Sequence, residues 1–187
     1  MVLRLSWICH APTAATRRAA FPLDEPLEES DREKAAAVQA RLCGHAWTAP
    51  ERRARETAEA LGLTAQVDPE LRDCDYGRWA GRSLADLQAA EPAALGAWLT
   101  DPQSNPHGGE SIADLARRAA AWLEARAREE GRIVAVAHPA VVRAAILHAM
   151  GAPLASFWRV EVAPLALVGL THDGRRWTLR SIAESGW

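Results

Sequence analysis

Apolar residues are concentrated in two short runs, one at the start of the chain and one in its second half. Val2 to Cys9 reads VLRLSWIC, and Ile133 to Ala137 reads IVAVA. Runs of this length with little alternation are typical of strands buried on both faces of a parallel sheet. We therefore predict two central strands, and each ends directly before a histidine, His10 or His138.

The segments around these runs carry weaker signals for helices and strands. Helices are predicted over 31–42, after a capping box at Ser30, and over 51–61, 83–90, 93–99, 112–130 and 140–150. Short strands are predicted at 45–49, 64–67, 160–162, 166–171 and 177–182, with a hairpin turn at Asp173-Gly174 between the last two. Residues 11–29 carry three prolines and are predicted to form an irregular loop. Strands that alternate with helices indicate an α/β domain with a largely parallel sheet and an antiparallel C-terminal edge.

Composition excludes several classes of protein. The 187 residues, 49% hydrophobic and 25% charged, suit one globular domain spanning 1–187. A net charge of −2 attracts neither nucleic acid nor an anionic membrane, and no segment reaches the ~18 apolar residues of a membrane helix. The N-terminal run is too short for a signal peptide. Because the three cysteines match no disulfide framework and no zinc site, we expect a cytoplasmic protein without metal.

A third predicted strand, 45–49, is also followed directly by a turn and a helix. The carboxyl ends of parallel strands form the binding crevice of an open α/β sheet, so this segment is expected to converge with the two histidines. The helix opens with ERRARE at 51–56, and a helix N-terminus favours an anion. At most one or two of its arginines can reach the sheet, and the others fit a solvated face paired with Glu51 and Glu56.

Five segments in order carry a resemblance to a known family: CHAPT at 9–13, TAPERRARETAEALG at 48–62, LRDCDYGRWAG at 71–81, GGES at 108–111 and AHPAVVRAAILHAMG at 137–151. Each motif alone is weak, but together they span nearly the whole chain and resemble the histidine phosphatase superfamily. This resemblance implies the phosphoglycerate-mutase-like fold, a three-layer α/β/α sandwich. It also implies a phosphomonoester hydrolase that acts on a small phosphorylated molecule through a phosphohistidine, without a cofactor.

The resemblance assigns catalytic roles residue by residue. His10 matches the nucleophile, and Arg53 and His138 match the groups that hold the phosphoryl oxygens. Asp73 matches the acidic proton donor, where many members carry glutamate, and Asp75 competes for this role. A neutral imidazole attacks phosphorus, so a backbone carbonyl or hydroxyl should hold the other N–H of His10. Proton donation to the leaving alkoxide requires that the pKa of Asp73 be raised.

Further residues are assigned to the edges of the site. Thr13, Arg17 and Glu110 are predicted to bind substrate, and Glu110 is also expected to act as a helix N-terminal carboxylate beside a pocket arginine. Trp79 is predicted to form a wall of the pocket, and the loop of His107 to border it. The other histidines are predicted to be structural or surface residues, and the other tryptophans mainly core residues.

One departure from the family motif leaves three interpretations open. Where the family reads Arg-His-Gly, this chain reads Cys9-His10-Ala11. Loss of a charge-assisted bidentate contact costs about 2–4 kcal/mol of transition-state binding, or about 30- to 1,000-fold in rate, unless Arg17 or Arg18 replaces it. The chain is then a phosphatase with a rebuilt pocket, a weakened member kept as a binding protein, or a specialised enzyme with an unusual substrate. Cys9 either has a chemical role with a lowered pKa or fills space as a small buried residue.

Phosphoglycerate mutase activity is less favoured by the length of the chain. Mutases of this family are longer and carry an inserted segment that encloses a bisphosphate. Small phosphatases such as the α-ribazole phosphatase type fit 187 residues better. A homodimer is compatible with the sequence, and no motif specifies the substrate.

Overall fold

A six-stranded sheet lies at the centre of the computed structural model, which describes residues 2–38 and 42–184. Its strands are β1 Leu3–Cys9, β2 His45–Thr48, β3 Gln66–Val67, β4 Arg132–Ala137, β5 Leu167–His172 and β6 Trp177–Ala183. The order is β3-β2-β4-β1-β5-β6; the first four strands run parallel, whereas β5 is antiparallel to β1 and to β6. This confirms the predicted, largely parallel sheet with an antiparallel C-terminal hairpin at its edge.

Helices flank the sheet and complete a three-layer α/β/α sandwich. They are α1 Ala14–Arg17, α2 Glu29–Ala36, α3 Arg52–Ala60, α4 Leu84–Ala90, α5 Pro92–Thr100, α6 Ile112–Arg126 and α7 Pro139–Met150. Short 3-10 turns cover Pro69–Leu71, Gly77–Trp79 and Leu154–Arg159. Within the described residues, no helix combines the length and apolar character that crossing a bilayer requires.

The register of the two central strands places both histidines at one edge of the sheet. Cys9, the last residue of β1, pairs with Ala137, the last residue of β4. His10 and His138 therefore follow neighbouring parallel strands at the same level of the sheet. The backbone N–H of His10 also donates to the carbonyl oxygen of Ala137 at 2.9 Å. The last three residues of β1 and residues 133–137 of β4 are at most 1% exposed, and this burial fixes the strand ends in place.

The segment predicted as an irregular loop over 11–29 contains helix α1. Thr13 and Thr16 form a reciprocal capping box, which stabilises the first turn. The prediction that Ser30 caps α2 is wrong, since α2 begins at Glu29 and the carboxylate of Asp31 is buried against Arg17 at 2.7 Å. The predicted end of this helix falls on residues 39–41, outside the described residues.

The strand predicted at 160–162 is also wrong. Val160 ends the 3-10 turn in an extended conformation, but the segment joins no strand of the described sheet. Its carbonyl oxygen instead accepts a hydrogen bond from Nε of Arg143 at 2.7 Å. A side chain of α7 therefore satisfies the backbone group that a neighbouring strand would have satisfied.

Candidate active site

His10 lies at the carboxyl end of β1 with a fixed tautomer. Its Nδ1 donates to the carbonyl oxygen of Ala11 at 2.7 Å, since a carbonyl can only accept. The proton therefore sits on Nδ1 and leaves Nε2 with a free lone pair, as the sequence predicted. Burial, followed by the positive charges of His138 and Arg53, lowers the pKa of His10 to about 3. The imidazole is thus neutral at physiological pH.

Arg53 reaches the same edge of the sheet from the first turn of α3. Its side chain is only 2% exposed and donates from Nη2 to Asp73 at 2.8 Å and from Nη1 to the carbonyl oxygen of Leu23 at 2.7 Å. Asp73 also accepts the backbone N–H of Cys74 at 2.8 Å. These bonds hold the guanidinium and the carboxylate in a fixed relative position.

Asp73 is ionised in this arrangement, in contrast to the raised pKa that the role of proton donor requires. Burial alone would raise the pKa of Asp73, but the positive charges of His138 and Arg53 outweigh burial and lower it. The expected raised pKa is therefore wrong for the unliganded site. The reason is that the carboxylate lies 2.8 Å from Arg53 and 3.5 Å from Nδ1 of His138.

The ring of His138 lies between two carboxylates. Its Nε2 is 2.7 Å from Glu51, and its Nδ1 faces Asp73 at 3.5 Å. The rings of His138 and His10 have centroids 5.2 Å apart and meet edge to face, so the predicted convergence of the two histidines is confirmed. Each ring nitrogen of His138 therefore faces a carboxylate of the site.

Sequence reasoning missed Glu51 as part of the site. Its Oε1 accepts the backbone N–H of Asp73 at 3.0 Å while its Oε2 contacts His138, so one side chain joins two site residues. Burial alone would raise the pKa of Glu51, but the hydrogen bond and charge of His138 lower it to about 2. The assignment of Glu51 to a solvated face is therefore wrong. The sequence did carry a signal for Glu51, because the residue closely follows a strand and lies at the start of α3, where the side chains of the binding crevice are expected.

Glu51→Gln is expected to lower kcat/KM for a phosphomonoester by about 10- to 100-fold. The amide keeps the size of the side chain but removes the charge that holds His138. Steady-state kinetics checks this, with Glu59→Gln, an exposed carboxylate of the same helix, as the matched control. Equal kcat/KM values for the two variants would show that Glu51 does not position His138.

A cavity of about 410 Å³ opens in front of His10. Its polar lining residues besides His10 are Thr13, Thr16, Asp73, Tyr76 and Arg143. Arg143 is held by its Nε at Val160, and its guanidinium carbon lies 5.5 Å from the ring centre of Trp158. Within the described residues no carboxylate lies within ion-pair distance of Arg143, although the charge of Glu161 acts on it, so it brings a guanidinium without a direct ion pair to the cavity.

Arg143 was also missed, although it belongs to a segment that the sequence singled out. Pro139, Ala140 and Arg143 share one face of α7 because they are three and four residues apart, and all three line the cavity. The charge of Arg143 acts on Cys9, the residue that replaces the motif arginine. The start of α7 at the sheet edge, with an arginine one turn further on, was the signal.

Cys9 has no chemical role in this geometry. It is 0% exposed, and burial, followed by the charge of Asp73, raises the pKa of its thiol well above the ordinary value. The thiol is therefore neutral and protonated. The alternative that Cys9 has a lowered pKa is wrong, and its observed role is to fill space in the core.

The structure brings only one of the three predicted substrate-binding residues to the cavity. Thr13 lines it and donates to Glu25 at 3.1 Å. Arg17 instead pairs with Asp31, and Glu110 accepts hydrogen bonds from Arg118 at 2.7 and 3.0 Å. Neither Arg17 nor Glu110 lines the cavity.

The aromatic walls of the cavity also differ from the prediction. Trp79 is fully buried behind them, packed on His107 at a centroid distance of 5.0 Å, and neither residue lines the cavity. Trp98 and Trp158, which were predicted to be core residues, line it instead. Asp75 is exposed and accepts the N–H of Gly77, and it does not line the cavity.

Comparison with known proteins agrees with this geometry. The family model of the histidine phosphatase superfamily (branch 1) matches residues 5–185. A glucosyl-3-phosphoglycerate phosphatase of Mycolicibacterium vanbaalenii is 31% identical over 172 residues, covering 82% of this chain and 76% of that protein. A solved mycobacterial glucosyl-3-phosphoglycerate phosphatase complexed with VO3 is 28% identical, with a TM-score of 0.82 over 95% of this chain and 96% of that one. A structure described as mycobacterial hydrolase 1 is 27% identical, with a TM-score of 0.88 and full coverage of both chains. The chain therefore belongs to the histidine phosphatase superfamily.

Proposed function

We propose that the protein hydrolyses small phosphomonoesters through a phosphohistidine formed at His10. The observation that carries this proposal is the neutral imidazole of His10, whose Nδ1 is fixed by Ala11 and whose Nε2 is free beside the cavity. The phosphatase names of the relatives support the same class of reaction.

The first step is an in-line attack by Nε2 of His10 on phosphorus. The N–P bond forms while the bond from phosphorus to the leaving oxygen breaks, and the electron pair goes to that oxygen. Nε of Arg53 and Nδ1 of His138 are buried and have no hydrogen-bond partner among the described residues. The Nε–H group of Arg53 is thus a buried donor without an acceptor, and it suits a phosphoryl oxygen, whose charge it stabilises in the transition state.

Asp73 supplies the proton for the leaving group once substrate is bound. In the unliganded site Arg53 and His138 keep the carboxylate ionised. A phosphate dianion placed between these two groups neutralises their charge, and the pKa of Asp73 then rises. The carboxyl group can protonate the leaving alkoxide and afterwards accept a proton from the water that cleaves the phosphohistidine.

Arg143 takes the place of the arginine that is missing at Cys9. It approaches from α7 instead of from β1, and its field reaches the Cys9 position. A second guanidinium restores the charge-assisted contact that the motif arginine provides elsewhere in the family. This arrangement supports the interpretation as a phosphatase with a rebuilt pocket.

Arg143→Met is expected to lower kcat/KM by about 30- to 1,000-fold, because one charged phosphoryl contact is removed. Arg180→Met, at an exposed position of β6, serves as the control. Steady-state assays on a simple alkyl phosphate measure both variants. A wild-type kcat/KM in Arg143→Met would show that Arg143 does not take the place of the motif arginine. Arg17 and Arg18 would then again be the candidates for that contact.

One observation favours the alternative of a binding protein with weak activity. Asp73 already occupies Arg53, so an incoming phosphate must compete with an internal carboxylate. The two functions differ in one experiment, in which the protein is mixed with an ester carrying radiolabelled phosphate and quenched in alkali. An acid-labile adduct that is absent in His10→Ala supports hydrolysis, whereas phosphate binding without any adduct supports the binding protein.

The proposed setting of the reaction is the cytoplasm, with one domain spanning 1–187 as the working unit. The three cysteines are free thiols, which is compatible with a reducing compartment. Fractionation of cells that produce the protein tests the localisation, and size-exclusion chromatography with light scattering tests for a homodimer.

A further inference from the structure

The part of the cavity that lies beyond the phosphoryl site is walled by apolar side chains. The larger ones are Phe21, Leu84, Trp98, Leu99, Ile112, Phe157, Trp158 and Val162. They come from separate segments, including α4, α5, α6 and the 3-10 turn after α7. A wall of this kind, assembled from distant parts of the chain, is a built binding surface and not a single exposed helix face.

Four of these rings form a contiguous aromatic wall. Trp98 packs edge to face against Trp158 at 4.6 Å and against Phe21 at 5.4 Å, and Phe157 packs against Trp158 at 4.9 Å. Each ring is held by another, so the wall is preorganised. A flat apolar group can therefore bind there without first ordering the side chains.

The rim of the same cavity exposes apolar surface to water. Leu84, Leu99 and Trp158 are 40%, 43% and 38% exposed, and they are three of eight large apolar side chains exposed in the described part of the chain. Scattered exposed apolar side chains are ordinary, but several around one opening indicate a ligand that covers them.

The charged groups of the cavity are Asp73 and Arg143, and the guanidinium carbon of Arg143 lies 5.8 and 5.5 Å from the ring centres of Phe157 and Trp158. Asp73 is paired with Arg53, and Arg143 lies close enough to Cys9, next to His10, for its charge to act on the thiol. The hydroxyls of Thr13 and Thr16 lie within hydrogen-bond distance of each other in the cap of α1. Apart from Arg143 the wall offers mainly apolar surface, so a leaving group rich in hydroxyls would lose its water there and find few partners.

We propose that the substrate is the phosphate monoester of an apolar alcohol, aromatic or bulky aliphatic, whose carbon skeleton packs on this wall. The inference rests on the proposed function, because it places the phosphoryl group at His10. A cavity of about 410 Å³ accommodates a leaving group of the size of a substituted benzyl or phenylethyl group. This class differs from the glucosyl-3-phosphoglycerate named for the relatives.

Binding of three phosphonates to the full-length protein tests the inference without any turnover. Phenylpropylphosphonate, hydroxypropylphosphonate and carboxyethylphosphonate carry the same phosphonate group, and calorimetry gives their Kd values. We expect the phenyl compound to bind about tenfold or more tightly than the other two, because its phenyl ring buries apolar surface that the other two compounds lack. Equal affinities, or tighter binding of the carboxylate, overturn the proposal.

Two variants locate the preference on the wall. Leu99→Ser and Trp158→Ala should each reduce the ratio of affinities for the phenyl and hydroxyl compounds by about threefold or more, whereas Ile182→Ser, an exposed apolar residue outside the cavity, should leave it unchanged. Leu99 is exposed, so its variant remains informative if Trp158→Ala is unstable. If the ratio of the two affinities is unchanged in Leu99→Ser, the proposal that the rim of the cavity contacts the apolar group is overturned.

Turnover separates this inference from the proposed function. Hydrolysis of phenylethyl phosphate with a kcat/KM about tenfold above that of glycerol phosphate supports both. Faster hydrolysis of phosphoserine or glycerol phosphate keeps the proposed function and overturns the inference. If no ester is hydrolysed and no adduct forms on His10, the proposed function fails, and the phosphonate affinities alone decide whether the cavity prefers apolar groups.

Discussion

His10→Ala is expected to lower kcat by at least about 10³-fold and to abolish the acid-labile phosphoprotein. Nε2 of His10 is the proposed nucleophile beside the cavity, and the neighbouring Cys9 cannot replace it because its thiol is buried and protonated. Single-turnover assays with a radiolabelled ester measure both quantities. His45→Ala, an exposed histidine on β2, is the control and should retain wild-type kcat. Turnover that survives in His10→Ala would refute the nucleophile.

The same variant should change how stability depends on pH. The pKa of His10 falls from an ordinary 6.5 to about 3 on folding, so between these values the unfolded chain binds a proton that the folded chain does not. The wild-type protein therefore loses stability as pH falls from 6.5 toward 3, by about 2 kcal/mol at pH 5 from this residue. His10→Ala lacks this loss, and urea unfolding at pH 7 and pH 5 checks the difference. If both proteins lost the same amount of stability between pH 7 and pH 5, the result would contradict a buried neutral imidazole at His10.

Arg53→Met is expected to lower both activity and the free energy of unfolding, the latter by about 3–5 kcal/mol. Arg53 is 2% exposed, and its removal leaves Asp73 as a buried carboxylate without its cationic partner. Urea unfolding gives the stability, and Arg52→Met, at an exposed position one residue earlier, is the matched control.

A double variant separates the two effects of Arg53. Arg53→Met combined with Asp73→Asn removes the buried charge together with its partner, so part of the lost stability should return. Activity should not return, because both the proposed phosphoryl contact and the proposed proton donor are then missing. A single variant as stable as wild type would show that the buried ion pair contributes little to the fold.

Local patterns in the sequence determined the sheet and the residues that it delivers to its edge. The apolar runs of β1 and β4 predict buried parallel strands, and both stop at a histidine. Since parallel strands present their carboxyl ends at one edge, the approach of His10 and His138 followed from the pattern alone. Arg53 and Asp73 were assigned by family resemblance, and both lie beside these histidines.

Tertiary structure decided which charged side chains meet. Arg17 was expected at the substrate, but the buried carboxylate of Asp31 holds it; Glu110 is held by Arg118 in the same way. Such pairs join residues that are 14 and 8 positions apart, and no periodicity in the sequence shows which partner an arginine chooses. For the same reason the lowered pKa of Asp73 could not be predicted, since it depends on the charges of two other segments.

The sequence by itself determined the resemblance to the family and the two histidines at the edge of the sheet. It also showed that Cys9 stands where the family motif has an arginine. Only the folded chain shows what surrounds that position, because Arg143 and the aromatic wall come from α7, α5, the segment after α1 and the turn after α7. A local pattern reports which face of an element is buried, whereas a cavity is defined by side chains from elements that lie far apart in sequence. The chemistry proposed for His10 is therefore visible in the sequence, and the shape of the cavity proposed to select the substrate is not.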